Sequence, residues 1–510
     1  MITRGTEVTQ DNASQGRWRS RPWSGLLVGC VAAYLVLGVA YALIFPLGQA
    51  PDEPAHFRYA LFIARHARLP HFHADDAGYE SYQAPLYYTL CAAVGKLAML
   101  GPGSATMPTA EPPAALHGPA WEVAASLPDY PTVSDRQHVL AVEALRQAHR
   151  FTIAERRAWR AMRLVTVLVG ACGVLLAWRI LVLIFPDRPW IAAMTAATMA
   201  VHPMYVHICA SVGNDPATVV AVELVLLLSL LIMREGLSPA RAALLGLALG
   251  IAMLTKDSAL AALPAALLAL AWSAGRRHEP EPADSFLSDL ARRVAALRWG
   301  RMLGHAAVAL GVAAAVGGWW YVRNTLLYGT PQHFPANIDK QIPWQIYVAR
   351  PDILGVVLDI ALPMTFRNFW AGFGWTNVAV APWIYWLLLG IALLPAPGLV
   401  MLIAHSRAGR VRCPALQVRG VWLLLLTAVV LSIAMLWYIL TIDLGGGSQG
   451  RYLFPAFSAL GMLWALGVGR LLRREARRAL PWLAGGLMLA FNLYCLFGVI
   501  VPFYRALLGG

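Results

Sequence analysis

Residues 162–184 read MRLVTVLVGACGVLLAWRILVLI: 23 residues with two arginines and no other charge. A membrane-spanning helix needs about 20 predominantly apolar residues, so this run is one. Outward from it the pattern recurs, at 23–45, 190–209, 216–234, 240–255, 258–274, 303–321, 382–404, 420–441, 453–471 and 480–503. The chain of 510 residues is 58% hydrophobic and only 13% charged. A soluble protein carries roughly 25% charged residues. The fold class is therefore all-α, a polytopic membrane protein of about 11 transmembrane helices.

The net charge of +14 does not point to nucleic acid. Of 41 basic residues 38 are arginine, and most sit in short tracts between apolar runs, where they set topology and meet lipid headgroups. Nucleic acid is excluded as a partner on that placement. The six cysteines form no CxxC pair, so neither a zinc site nor a disulfide framework is indicated. The first run is too long for a signal-peptide core and no small-residue cleavage pattern follows, so it reads as a retained span after a cytoplasmic tail, 1–22.

The stretch 85–100 (PLYYTLCAAVGKLAML) is too short for a clean span, and a crossing there would invert everything after it. With an N-terminus inside and no crossing at 85–100, the short inner segments hold 22 Lys/Arg in 88 residues and the short outer ones 7 in 85. That threefold bias selects the topology. Residues 46–161 then form one long extracytoplasmic loop with 85–100 re-entrant, and 162–510 form a bundle with short loops. A loop of this length carries helices of its own. Residues 54–68 predict an interfacial amphipathic helix with Pro54 in its first turn. The Pro/Gly/Ala-rich stretch 101–131 is expected to be irregular, and 135–160 helical, leading into the second span.

Chemistry-bearing residues gather on the outer side. Asp52-Glu53 stand between Pro51 and Pro54, just outside the first span. Two readings fit: carboxylates complementing a helix start, or a general base held by a proline-braced turn. Tyr79-Glu80-Ser81-Tyr82-Gln83-Ala84-Pro85 mark where the chain re-enters the bilayer, as interface anchors or as pocket lining. Asn214-Asp215-Pro216 and Thr255-Lys256-Asp257 lie at outward turns, where an ionisable group either snorkels or serves a site. Arg323, in WWYVRN, and Arg451, in GGGSQGRYLFP, are scarce cations on a charge-poor side. A guanidinium offers forked donors to phosphate oxygens, and a glycine-rich turn lets backbone N–H groups approach an anion. Tyr82, Gln83, Asn214, Asp215, Gln449 and Tyr452 line the expected substrate pocket.

The ordered set PDEPAHFRYA, YQAPLYY, ASVGNDP, LTKDSALAALP, WWYVRNTLLYG and QGRYLFP resembles the GT-C superfamily of integral-membrane glycosyltransferases. The likeness is nearest to bacterial members related to protein O-mannosyltransferases and lipid A aminoarabinose transferase. It implies transfer of a sugar from a polyprenyl-phosphate donor to an extracytoplasmic lipid, polysaccharide or protein, with inversion. It also implies that Asp52 is the base with Glu53 supporting. A phosphate leaving group needs no general acid, unlike the carboxylate pair of glycosidases. It does need cations, here Lys256, Arg323, Arg451 and Arg58. Where mannosyltransferases carry His-Pro-Pro, this chain has Gln83-Ala84-Pro85. It has no DxD motif, so neither a metal nor another cofactor is implied. The stretch from His71 to Asp76 (HFHADD) has spacing that occurs by chance on exposed loops. Two other classes remain. A transporter or flippase would show an internal repeat and midplane charges, and a polysaccharide polymerase or ligase would use a diphosphate donor. The Arg/Ala-rich composition points to the inner membrane of a bacterium.

Overall fold

A computed structural model describes residues 7–72, 74–100, 122–123, 135–275, 298–332, 353–408, 414–441 and 448–508. Nearly all of 101–131, together with His73 and the glycines at 445–447, lies outside them. The described chain is helical: α1 (Glu7–Ile44), α2 (Glu53–His66), α3 (Leu86–Met99), α4 (Asp135–His149), α5 (Ile153–Ile184), α6 (Pro189–Ala200), α7 (Pro203–Cys209), α8 (Asp215–Glu235) and α9 (Pro239–Thr255). A 3-10 turn at Asp257–Ala262 leads into α10 (Leu263–Ala274). Then come α11 (Trp299–Tyr328), α12 (Leu362–Trp370), α13 (Pro382–Leu393), α14 (Ala396–Arg407), α15 (Ala415–Thr441), α16 (Phe457–Leu471) and α17 (Arg474–Leu508). The strands among the described residues are one two-residue antiparallel pair, Gly372 opposite Ala379 and Phe373 opposite Val378.

Among the described residues nine helical segments are long and apolar enough to cross a bilayer. Helix α9, over the expected span 240–255, has 17 residues. The expected span 190–209 is two helices, broken at Val201 and His202. Pro203 explains the break, since it lacks an N–H and disfavours helical backbone before it. His202 is extended (φ −67°, ψ 121°), and its Nδ1 accepts the Tyr205 N–H at 3.3 Å to start α7. The expected continuous helix 135–160 is also interrupted. Thr152 accepts the Glu155 N–H while Glu155 accepts that of Thr152, a capping box that begins α5 afresh. Helix α3 has 14 residues, about 21 Å at helical rise, short of the roughly 30 Å hydrocarbon core.

The segments that charge counting assigns to the outer side meet at one end of the bundle. Trp375 Nε1 donates to the Gly48 carbonyl (2.9 Å), the Phe72 N–H to the Tyr328 hydroxyl (3.0 Å), Arg323 to the Pro70 carbonyl (2.6 Å) and Asn368 Nδ2 to the Ser448 carbonyl (3.1 Å). Helix α2 sits inside this end rather than on its surface. Its apolar residues and their opposite face are both buried, against α3 and α5. Phe57 stacks on Trp159 at 4.1 Å between centroids, and each such buried aromatic contributes about 1.5–3 kcal/mol. The expected amphipathic face is left only at Arg58, Arg65 and His66.

Candidate active site

The turn Pro51-Asp52-Glu53-Pro54 joins the end of α1 to α2 and sends its two carboxylates in opposite directions. Asp52 has φ 62° and ψ 0°, left-handed backbone that Asp tolerates better than most residues at a cost of order 1–3 kcal/mol. Its carbonyl accepts the Ala55 and His56 N–H groups at 3.0 and 3.1 Å. Its carboxylate makes no capping bond, so the capping reading does not describe this side chain. Oδ1 accepts the Tyr79 hydroxyl at 2.8 Å and Oδ2 faces Arg451 Nη2 at 2.7 Å, with the side chain 26% exposed.

Glu53 is fully enclosed at 0% exposure. Arg163 Nε and Nη2 grip its two oxygens at 2.6 and 2.7 Å. Trp159 Nε1 (3.1 Å) and the N–H groups of Val212 and Gly48 (both 3.0 Å) complete the set. Arg163 spends its remaining donors on the carbonyls of Ala42, Phe45 and Pro46. One ion pair thus ties α1, α2, α5 and the 212 turn together.

Around Asp52 the charges alternate. Arg451 lies in the Gly450–Ala456 3-10 turn, and a Cβ on Gly450 would collide with the Phe369 backbone, so glycine is required there. The guanidinium, 7% exposed, also reaches the Pro51 carbonyl (3.3 Å). Its Nε stands 3.3 Å from Asp215 Oδ2, within ion-pair distance but out of line for a hydrogen bond. Lys256 Nζ holds Asp215 Oδ1 at 2.6 Å. The Tyr452 ring lies under both cations, 5.1 Å from Lys256 Nζ and 5.4 Å from Arg451 Cζ. Burial raises the Asp52 carboxyl, but Arg451, His56 and the Tyr79 hydroxyl together outweigh it and hold the group below the usual carboxylate range. Burial drives His56 down to about 4, so it is neutral near pH 7; its Nδ1 pairs with the Tyr88 hydroxyl at 2.7 Å.

A second chain of contacts approaches from residues 78–83. Gly78 (φ 81°) lets this turn press on α2, since a Cβ there would lie 2.8 Å from the Ala55 carbonyl oxygen. The Tyr59 hydroxyl pins it through the Gln83 carbonyl at 3.1 Å. Asn214 Nδ2 donates to Gln83 Oε1, and Gln83 Nε2 to Glu80 Oε2. Burial first, then the neighbouring Asp52, pushes Glu80 up to about 8.

The profile of a family described as predicted membrane proteins, DUF2142, matches residues 35–460, which include Asp52, Asp215, Lys256 and Arg451. The chain belongs to that family. No curated protein matches it. With nine helices among the described residues long and apolar enough to cross a bilayer, it is a multi-pass membrane protein. It is similar to the solved structure of ArnT from Cupriavidus metallidurans bound to undecaprenyl phosphate, at 15% identity over 88% of this chain and 78% of that one, with TM-score 0.37. An apo ArnT structure from the same organism matches at 16% identity over 76% and 77%, with TM-score 0.22. The apo oligosaccharyltransferase of Archaeoglobus fulgidus matches at 13% identity over 94% of this chain and 56% of that one, with TM-score 0.40.

The structure thus gathers Asp52, Asp215, Lys256, Arg451 and Tyr452, with Gln83 and Asn214 alongside; Gln449 is half-buried at the start of the Arg451 turn. Tyr82 packs edge-on to Phe72 at 6.2 Å. Two nominated cations stand apart. Arg323 is committed to the Pro70 carbonyl and the Trp320 ring. Arg58 faces solvent-exposed Asp76 at 3.5 Å. In the 71–76 loop Asp75 is taken by Arg68 (2.7 Å), and no group of three metal-binding side chains occurs among the described residues. Sequence reading passed over Arg163, Tyr79, His56 and Glu80 as partners. Tyr79 and Glu80 stood in the motif at the re-entry point and His56 in PDEPAHFRYA, while Arg163 carried its signal as a charge inside an apolar run.

Proposed function

We propose that this protein is a membrane glycosyltransferase that moves a sugar from a polyprenyl-phosphate donor to an acceptor outside the cytoplasm, in the inner membrane of a bacterium. The observation that carries the reading is the Asp52 carboxylate, part exposed on a strained turn and paired with Arg451, whose guanidinium also reaches the neighbouring Asp215–Lys256 pair. In the reaction Asp52 takes the proton of an acceptor hydroxyl as its oxygen bonds to the anomeric carbon. The bond from that carbon to the donor phosphate breaks on the opposite face, with inversion. The phosphate leaves with the electron pair, and Arg451 and Lys256 stabilise its charge. Glu53 supports by fixing the turn. The ordered sequence motifs support the same reading. So does a cavity of about 1150 Å³ with apolar walls, among them Phe369, Trp386, Leu463 and Leu487. Its lining runs from Leu453, in the 3-10 turn two residues past Arg451, along α16 to Leu472; the 15 residues of α16 span about 22 Å at helical rise, which suits a lipid chain.

The test is Asp52→Asn. Asparagine also accepts left-handed backbone, so the turn survives while the base is lost. Transfer of labelled sugar by the purified variant, and restoration of envelope glycans in a deletion strain read by mass spectrometry, should both fall about 10²–10⁴-fold. Retention of more than a few per cent removes Asp52 as base. Carrier movement across the bilayer without a covalent product would favour a flippase instead.

A further inference from the structure

The residues gathered around Asp52 fall into two halves of opposite character. On one side stand Lys256 and Arg451, both cationic. On the other, the described side-chain contacts run in one direction, from the Asn214 amide to Gln83 Oε1 and from the Gln83 amide to Glu80 Oε2. The Asn214 nitrogen also points at the Thr255 carbonyl, at 3.4 Å. This leaves Asn214 Oδ1 and Ser81 Oγ buried with no hydrogen-bond partner, on residues 1% and 3% exposed. Unpaired buried polar atoms are rare in folded proteins and costly, so a pair of them beside a reactive carboxylate calls for a partner. What is missing is a set of donors that can also accept. An anion cannot supply it, and neighbouring hydroxyl groups can. Glu80 is 7% exposed, and its upward displacement keeps it largely uncharged near neutrality, so it adds no repulsion against an anionic donor.

We infer that Glu80, Ser81, Gln83 and Asn214 form a sugar-hydroxyl subsite beside Asp52, in which Glu80 contacts the sugar directly. The inference rests on the transferase reading and names the part of the site that recognises carbohydrate rather than phosphate. The sugar is either the one transferred or the one that accepts it, and the two are separable.

The experiment uses the full-length protein in nanodiscs, as wild type, Glu80→Gln, Glu80→Ala and Asn214→Ala. Three quantities are read: the Kd for bare polyprenyl phosphate, the Kd for a panel of polyprenyl-phosphate-linked mannose, glucose and arabinose, and the acceptor KM. In every arm the Kd for bare carrier should stay within about twofold of wild type, since that probe carries no sugar. If the subsite holds the donor sugar, wild type prefers one sugar-bearing carrier over the bare one, and Glu80→Ala loses about tenfold of that preference. If it holds the acceptor, the preference survives and the acceptor KM rises about tenfold in Glu80→Ala. In both cases Glu80→Gln, which keeps a donor and an acceptor, retains most of the wild-type value. Unchanged preference together with unchanged acceptor KM in Glu80→Ala and Asn214→Ala overturns the subsite while leaving the transferase reading intact. Equal loss of bare-carrier binding also overturns it, by placing Glu80 in the phosphate half or in the fold. Should Glu80→Ala fail to fold, Asn214→Ala carries the same comparison. A wild type that binds carriers but transfers nothing sinks the transferase reading itself.

Discussion

Asp52 and Glu53 are neighbours in sequence with the same chemistry, and the fold treats them oppositely. Glu53 is sealed, gripped by Arg163 through both oxygens and satisfied by three further donors. Asp52 is strained, part exposed, and holds Arg451 through a single oxygen. A carboxylate with every lone pair taken by the protein cannot take a proton from anything else. One with an accessible oxygen can. On the proposed reading, the first anchors the turn so that the second can be presented, which is the division between structure and chemistry that a base requires.

Loss of Asp52 as base, tested above, is the largest effect expected from this contrast. The next is on stability. Glu53→Gln removes the charge that compensates buried Arg163, and breaking one partner of a buried pair costs about 3–5 kcal/mol. Thermal unfolding in detergent should show a large loss of Tm or of folded yield. Asp52→Asn should unfold close to wild type. If the two variants prove equally stable, the assigned roles are wrong.

A smaller effect has an unexpected sign. Arg451 is engaged by Asp52 at rest, so an incoming phosphate competes for it. Asp52→Asn should therefore bind bare polyprenyl phosphate more tightly than wild type, by about tenfold, the order of one coupling free energy between sites. In an Arg451→Ala background the gain should vanish. A gain that persists there reflects only the general loss of a negative charge.

The smallest concerns pH. Glu80 faces Asp52, Lys256, Arg451 and the Gln83 amide, with the hydroxyls of Tyr79, Tyr82 and Tyr88 nearby, and burial sets it near 8. Because its folded value is raised, it is neutral below that pH and becomes a second negative charge above it. The donor KM should climb a few-fold as pH passes 8, while Glu80→Gln should show a flat profile there. The donor phosphodiester does not titrate in that range, so a climb that survives in the variant belongs to another group.

Much of this was readable in the chain, and the failures are instructive. Nine spans were legible because their apolar runs are long and flanked by arginine, whereas 190–209 and 240–255 fall short of that length as single helices. The break at 202 was written as Pro203 inside the run 190–209, and the start of α5 as the Thr152-x-x-Glu155 capping signal, yet apolar length and arginine count overrode both. The placement of Asp52, Asp215, Lys256 and Arg451 on one side followed from charge counting alone. Their pairing did not, since Arg451 meets Asp52 across 399 positions. Nor did the burial of α2, because Arg58 and Arg65 write an amphipathic pattern while the packing that covers its other face comes from α3, the next helix, and from α5, far along the chain.

The left-handed backbone at Asp52 also bears on how the sequence can change. Glycine would relieve the turn's strain at no steric cost, so Asp52→Gly is expected to melt at or above the wild-type temperature while doing no chemistry. A library ranked by heat resistance alone would therefore enrich inactive proteins at this position. Only a screen that reads transfer as well as heat resistance would keep aspartate there on the proposed reading.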